Sequence, residues 1–183
     1  PGDDKTGVMG VAAFVGWYNG HPDFRDLAPI LNTKTVAVIG IGNVAVDVAR
    51  VLVKTPAEMA ETDLADHAAA AIHSAPIRDV WMFGRRGPVQ AQFSNVELRE
   101  MGHLADAAPI VDPAQLPDTV SETDAAKLSD RDLRMVEKNL ETLRDFSRID
   151  PAGRAKKVHF RFFAQPVEIL GGDAVEGLRL EET

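Results

Sequence analysis

The chain has 183 residues, 45% of them hydrophobic, and a formal net charge of −8. That suits a single domain with a buried core and argues against general nucleic-acid binding. It contains no cysteine, which excludes disulfides, thiolate metal sites, cysteine nucleophiles and a redox-active dithiol within the chain; no apolar run is long enough for a membrane span or signal peptide, and the composition fits a cytoplasmic protein.

In chain order, the start, Pro1-Gly-Asp-Asp4, lacks a methionine. Asp3 to Phe24 holds Gly16-Trp17-Tyr18-Asn19-Gly20-His21-Pro22, which reads either as a loop anchored by aromatics or as a connector to a neighbouring domain. The connector reading would leave Trp17 or Phe14 partly exposed. A second connector covers Asp26 to Asn32. Thr35 to Gly40 is then strand-like and runs into Gly40-x-Gly42-x-x-Ala45, where a helical pattern begins at once. Strand, tight turn and helix start are what a dinucleotide pyrophosphate needs. Gly40 permits the turn, Gly42 admits the phosphates to the backbone, and Ala45 lets the helix approach its strand. The free N–H groups of the helix start attract the anion.

The helix from Asn43 to about Lys54 is expected to turn Val44, Val48 and Val51 or Leu52 towards the sheet. Asp47 lies one turn beyond Asn43, close to the pyrophosphate end, and Thr55-Pro56 stops the helix. Ala57 to Ala75 is Ala-rich, and reads as a helical insertion on the outside. Val80-Trp-Met-Phe83 is the next parallel strand, ending in Gly84-Arg85-Arg86-Gly87-Pro88. At that place an acid selects NAD, whereas arginine accommodates the 2′-phosphate of NADP. Two guanidinium forks suit a phosphate. The two motifs lie about twice the roughly 20 residues apart that such folds use, and the insertion accounts for the excess.

Ser94 or Asn95 caps a helix to about His103, with Glu97 and Glu100 in its first turns, just after the arginine turn and near the cofactor cleft. Ala105 to Thr123 reads as loop. A long helix, Asp124 to about Phe146, carries Leu133, Val136, Leu140 and Leu143 near a 3.6 period. Val158–Leu170 and Val175–Glu181 form a two-stranded β unit turned at Gly171-Gly172-Asp173. The five histidines show no metal-ligand spacing, so no metal site is expected. The fold class is therefore α/β, a Rossmann-like parallel sheet flanked by helices with a small antiparallel β unit.

Together these segments resemble the adrenodoxin reductase family of FAD-containing, NADPH-dependent ferredoxin reductases. The resemblance rests on Phe14-Val-Gly-Trp-Tyr-Asn-Gly20, Gly40-x-Gly42-Asn-Val-Ala-x-Asp-Val-Ala-Arg50 and Gly84-Arg-Arg-Gly-Pro-x-Gln90. Phe93 with Glu97-Leu-Arg-Glu100, and Phe160-Arg-Phe-Phe-Ala-Gln-Pro166, add to it. It implies an excised NADP-binding domain, residues 35–183, preceded by a connector, residues 1–34, from an FAD domain that the sequence lacks. It implies that Gly42, Asn43 and Val44 hold the pyrophosphate and nicotinamide side, and that Arg85 and Arg86 hold the 2′-phosphate. Glu97 and Glu100 match acids near the nicotinamide, and Asp47 matches one facing the flavin domain. The chemistry implied is hydride transfer between nicotinamide and FAD, with electrons passed to a ferredoxin, and the chain alone is expected to be inactive. The mammalian members carry a dense basic cluster ahead of the long helix, whereas here Lys127–Arg134 is interrupted by acids. The alternatives are the NADPH-oxidising subunit of glutamate synthase, which shares the architecture, and a non-redox NADPH-sensing module.

Overall fold

The computed structural model describes all 183 residues. Six strands and seven α-helices follow one another as α1 (Val11–Tyr18), β1 (Thr35–Ile39), α2 (Asn43–Val53), α3 (Pro56–Met59), α4 (Asp66–Ser74), β2 (Asp79–Phe83), α5 (Asn95–Glu100), β3 (Ala107–Val111), α6 (Glu122–Ala125), α7 (Asp130–Phe146), β4 (Lys156–Arg161), β5 (Ala164–Leu170) and β6 (Gly177–Glu182). A four-stranded sheet of order β1-β2-β4-β3 is parallel throughout, and β5 pairs antiparallel with β6. Every connection within the parallel sheet carries a helix, as parallel pairing requires.

The sheet's register separates two faces. Val80 pairs with Val36 and Val158, and Met82 with Val38 and Phe160. Val38, Val80, Met82, Val158 and Phe160 are buried. The alternating row, Ala37, Trp81 and His159, stays at least partly exposed. There the Trp81 and His159 rings stack 3.9 Å apart across the β2–β4 pair, and His159 Nε2 bonds Asp79 Oδ1 at 2.7 Å.

Several expectations are corrected. The Asp3–Phe24 stretch, read as loop or connector, contains helix α1; of the two aromatics of which one or the other was expected to be partly exposed, Phe14 is half-buried and Trp17 is 3% exposed. The Ala57–Ala75 insertion is helical (α3 and α4), but it does not lie wholly outside, because Met59, Ala68 and Ile72 form an apolar stripe within the core. The Ala105–Thr123 stretch read as loop contains strand β3 and ends in the start of the short helix α6. The long helix is two helices, because Ser129 accepts the Asp132 N–H and starts α7 afresh. The Val158–Leu170 run is two strands in different sheets. It breaks at Phe163, whose φ of +53° is left-handed.

Candidate nucleotide site

The turn after β1 is built by two glycines with different tasks. Gly40 has φ +134°, a conformation that L side chains rarely adopt, and its N–H donates to Phe83 O at 2.9 Å. Gly42, the N-cap of α2, is extended, with φ −120° and ψ 178°, and offers no side-chain cap to the helix. A Cβ on Gly42 would meet nothing nearer than Gln92 O at 4.0 Å, so the space above it is open. An uncapped helix start under open space is a ready anion cradle. Ala45 is buried beneath it, and a Cβ on Gly40 would lie 3.8 Å from its own. The turn is braced from outside, because Gln92 N–H donates to Ile41 O at 3.0 Å and Ser94 N–H to Asn43 Oδ1 at 2.6 Å. The Asn43 side chain is thus committed to holding the start of α5.

Val44 points away from the sheet and is 52% exposed, against the expectation that it packs on the strands. In the same turn Ala45 and Val46 are the buried residues, at 7% and 0% exposed, so Val44 occupies the outer side of the helix start. Val48, Val51 and Leu52 are buried as expected.

At the end of β2, Gly84 is drawn against the turn, and a Cβ on it would clash with the Ile41 side chain. Arg85 and Arg86 follow on the surface. Neither guanidinium forms a hydrogen bond or ion pair with the protein. Two uncommitted, exposed cations therefore stand in the bend after β2, the strand paired with β1. Their planar forks match a phosphate monoester.

The three acids converge. Arg50, on the third turn of α2, is the link the sequence reading missed as a site residue. Its Nη2 lies 3.4 Å from Asp47 Oδ1, and its Nη1 lies 2.8 Å from Glu97 Oε2 and also contacts Glu100 Oε2. Asp47 Oδ2 accepts the Tyr18 hydroxyl at 2.6 Å. Burial first, then the Asp47 carboxylate, raises the Tyr18 phenol well above its ordinary value. No group of three His, Cys, Asp or Glu is placed to hold a metal, and no helix is long and apolar enough to cross a membrane.

A parallel sheet with a glycine turn into a helix start, and an arginine pair after the neighbouring strand, is the arrangement of dinucleotide-binding α/β folds. The chain is a homologue, over its whole length, of one segment of the NADPH-ferredoxin and NADPH:adrenodoxin reductases. It is 40% identical over 180 residues to the NADPH-ferredoxin reductase FprA of Mycobacterium tuberculosis, covering 98% of this chain and 38% of that protein. It is 37% identical over 193 residues to the mitochondrial NADPH:adrenodoxin oxidoreductase of Mus musculus, covering all of this chain and 38% of that one. The solved structure of Mycobacterium tuberculosis FprA in complex with NADPH superposes with a TM-score of 0.90 at 40% identity, over 100% of this chain and 39% of that chain. The chain thus spans well under half the length of these relatives. No family model matches it.

Proposed function

We propose that this chain is the NADP(H)-binding domain of a flavin-dependent ferredoxin reductase. The observation that carries the reading is the pair of free guanidiniums, Arg85 and Arg86, beside the uncapped start of α2. In this reading the arginines take the 2′-phosphate, and the N–H groups from Asn43 to Ala45 take the pyrophosphate above Gly42. Asp47, Glu97 and Glu100 act on the nicotinamide side or at the junction with a flavin-bearing part of a longer protein. The relatives named for NADPH and ferredoxin support the same ligand and an iron–sulfur partner.

The chain itself does not fit a flavin. Its one glycine fingerprint, Gly40–Ala45, is the one beside the phosphate-matching arginines. The domain's contribution is affinity, selectivity and placement of the nicotinamide, while the redox chemistry belongs to cofactors. Residues 1–34 are proposed to connect to the flavin-bearing part.

The test is direct. The purified chain should bind NADPH, carry no yellow flavin absorbance, and fail to reduce a dye with NADPH. Bound flavin, or dye reduction, would overturn the division of labour. A chain that fails to bind NADPH would overturn the reading itself.

A further inference from the structure

Arg50 has a role that neither the glycine turn nor the arginine pair explains. Its side chain is 11% exposed, and it lies beneath three carboxylates drawn from two helices: Asp47 on α2, and Glu97 and Glu100 on α5. None of the three acids has another cationic partner. Without the guanidinium, three like charges would face one point and repel. The position is not optimised for stability alone, because the Arg50 Nε is buried with no acceptor.

The clamp fixes α5 on α2 at a second place. The first is at the pyrophosphate turn itself, where Ser94 N–H meets Asn43 Oδ1. Arg50 pins the same helix two turns along α2. The two anchors set the carboxylates relative to the phosphates, and the Tyr18 hydroxyl on Asp47 adds a third. Asp47 stands three residues beyond Val44, whose exposed side chain flanks the anion cradle. Such i, i+3 neighbours lie about 5–6 Å apart.

The reading under Proposed function, on which this inference rests, gives the adenosine end of the ligand to Arg85 and Arg86. The nicotinamide half is then left to meet the Val44–Asp47 face. Its chemistry matches acceptor-only groups, since it offers carboxamide N–H and ribose O–H donors and, when oxidised, a positive ring.

We propose that Arg50 is a positioning residue of the nucleotide site: it touches no ligand, but holds Asp47, Glu97 and Glu100 as one acceptor cluster for the nicotinamide half of NADP(H). Lysine in its place keeps the charge but, as a point charge on a flexible stem, cannot bridge three carboxylates in a fixed fork.

The experiment titrates the chain with NADP+ and with adenosine 2′,5′-bisphosphate, which keeps the 2′-phosphate and lacks the nicotinamide half. Wild type should bind NADP+ the more tightly. Arg50→Met, titrated at a temperature where circular dichroism shows it folded, should lose about tenfold in NADP+ affinity and less than about twofold in bisphosphate affinity, and Arg50→Lys should recover part of the loss. A Glu97→Gln, Glu100→Gln pair, which leaves Arg50 in place, should show the same ligand-specific loss. The proposal is overturned if Arg50→Met leaves NADP+ affinity unchanged, or if both ligands weaken together and lysine rescues neither. Equal binding of both ligands by wild type would overturn it too. Failure of wild type to bind the bisphosphate would instead overturn the underlying NADP reading.

Discussion

Gly42 serves the space outside the protein rather than its own backbone. Its φ of −120° is open to any residue, and a Cβ there would meet no atom closer than 4.0 Å. Gly40, at φ +134°, is required by the turn itself. The two glycines of one motif therefore fail differently. Gly42→Val should leave the far-ultraviolet circular dichroism near wild type and abolish NADPH binding, because the side chain fills the place of the pyrophosphate. Unchanged affinity in that variant would show that the phosphates lie elsewhere. The sequence made both glycines legible, because the motif is local. Arg50 was visible in the sequence only as part of a string. Its link between residue 47 and residues 97 and 100 depends on α5 lying beside α2, which spacing along the chain does not encode.

At the scale of elements, the misses have physical causes. β3 reads as loop because Pro109 lies inside it, and proline interrupts a ladder. It survives because β3 is the edge strand, paired only with β4, where Pro109 stands opposite Val158. The break between α6 and α7 follows from two serine caps, Ser121 and Ser129, that a 3.6-residue period passes over. α5 docks on α7 through a polar link that hydrophobic patterning could not reveal. Buried Asn139 donates to Phe93 O at 3.0 Å and accepts from Asn95 Nδ2 at 3.1 Å. Asn139→Ala strands a buried carbonyl and should cost about 1–3 kcal/mol in denaturant unfolding. A loss below the lower figure would mean that water replaces the amide.

A second element-scale prediction concerns the start of α3. Burial alone would raise the Glu58 carboxyl, but the Thr55 and Ala105 N–H groups outweigh it and hold the group below its usual range. A lowered folded value contributes stability that is full above the unfolded value and is lost as pH falls through the folded one. Glu58→Gln should therefore unfold at a lower temperature than wild type near pH ~7, and the gap should close towards pH ~3. A gap that stays constant with pH would show that the carboxylate's charge is not what the cap uses.

For the whole molecule, the central claim is selectivity. A chain of net charge −8 repels a polyanionic ligand at long range, so binding must rest on local cations and dipoles that overcome this field. In the proposed reading Arg85 and Arg86, exposed and unpaired just after β2, provide them. The strand–turn–helix and the arginine pair were readable in advance because each is a short contiguous string. The acid clamp and the α5–α7 link became visible only in three dimensions, because they join distant segments. A charge-assisted hydrogen bond contributes about 1.5–3 kcal/mol, roughly ten- to a hundredfold in affinity. Two arginines on one phosphate are coupled, so their losses should not add, and salt should shrink the preference they create. The most direct measurement is calorimetric titration of NADP+ and NAD+ into wild type and into the Arg85→Ala, Arg86→Ala double variant, at low and high ionic strength. Wild type should prefer NADP+, less so in high salt, and the double variant should lose most NADP+ affinity while keeping weak NAD+ binding. Equal affinity of wild type for the two dinucleotides would contradict the account.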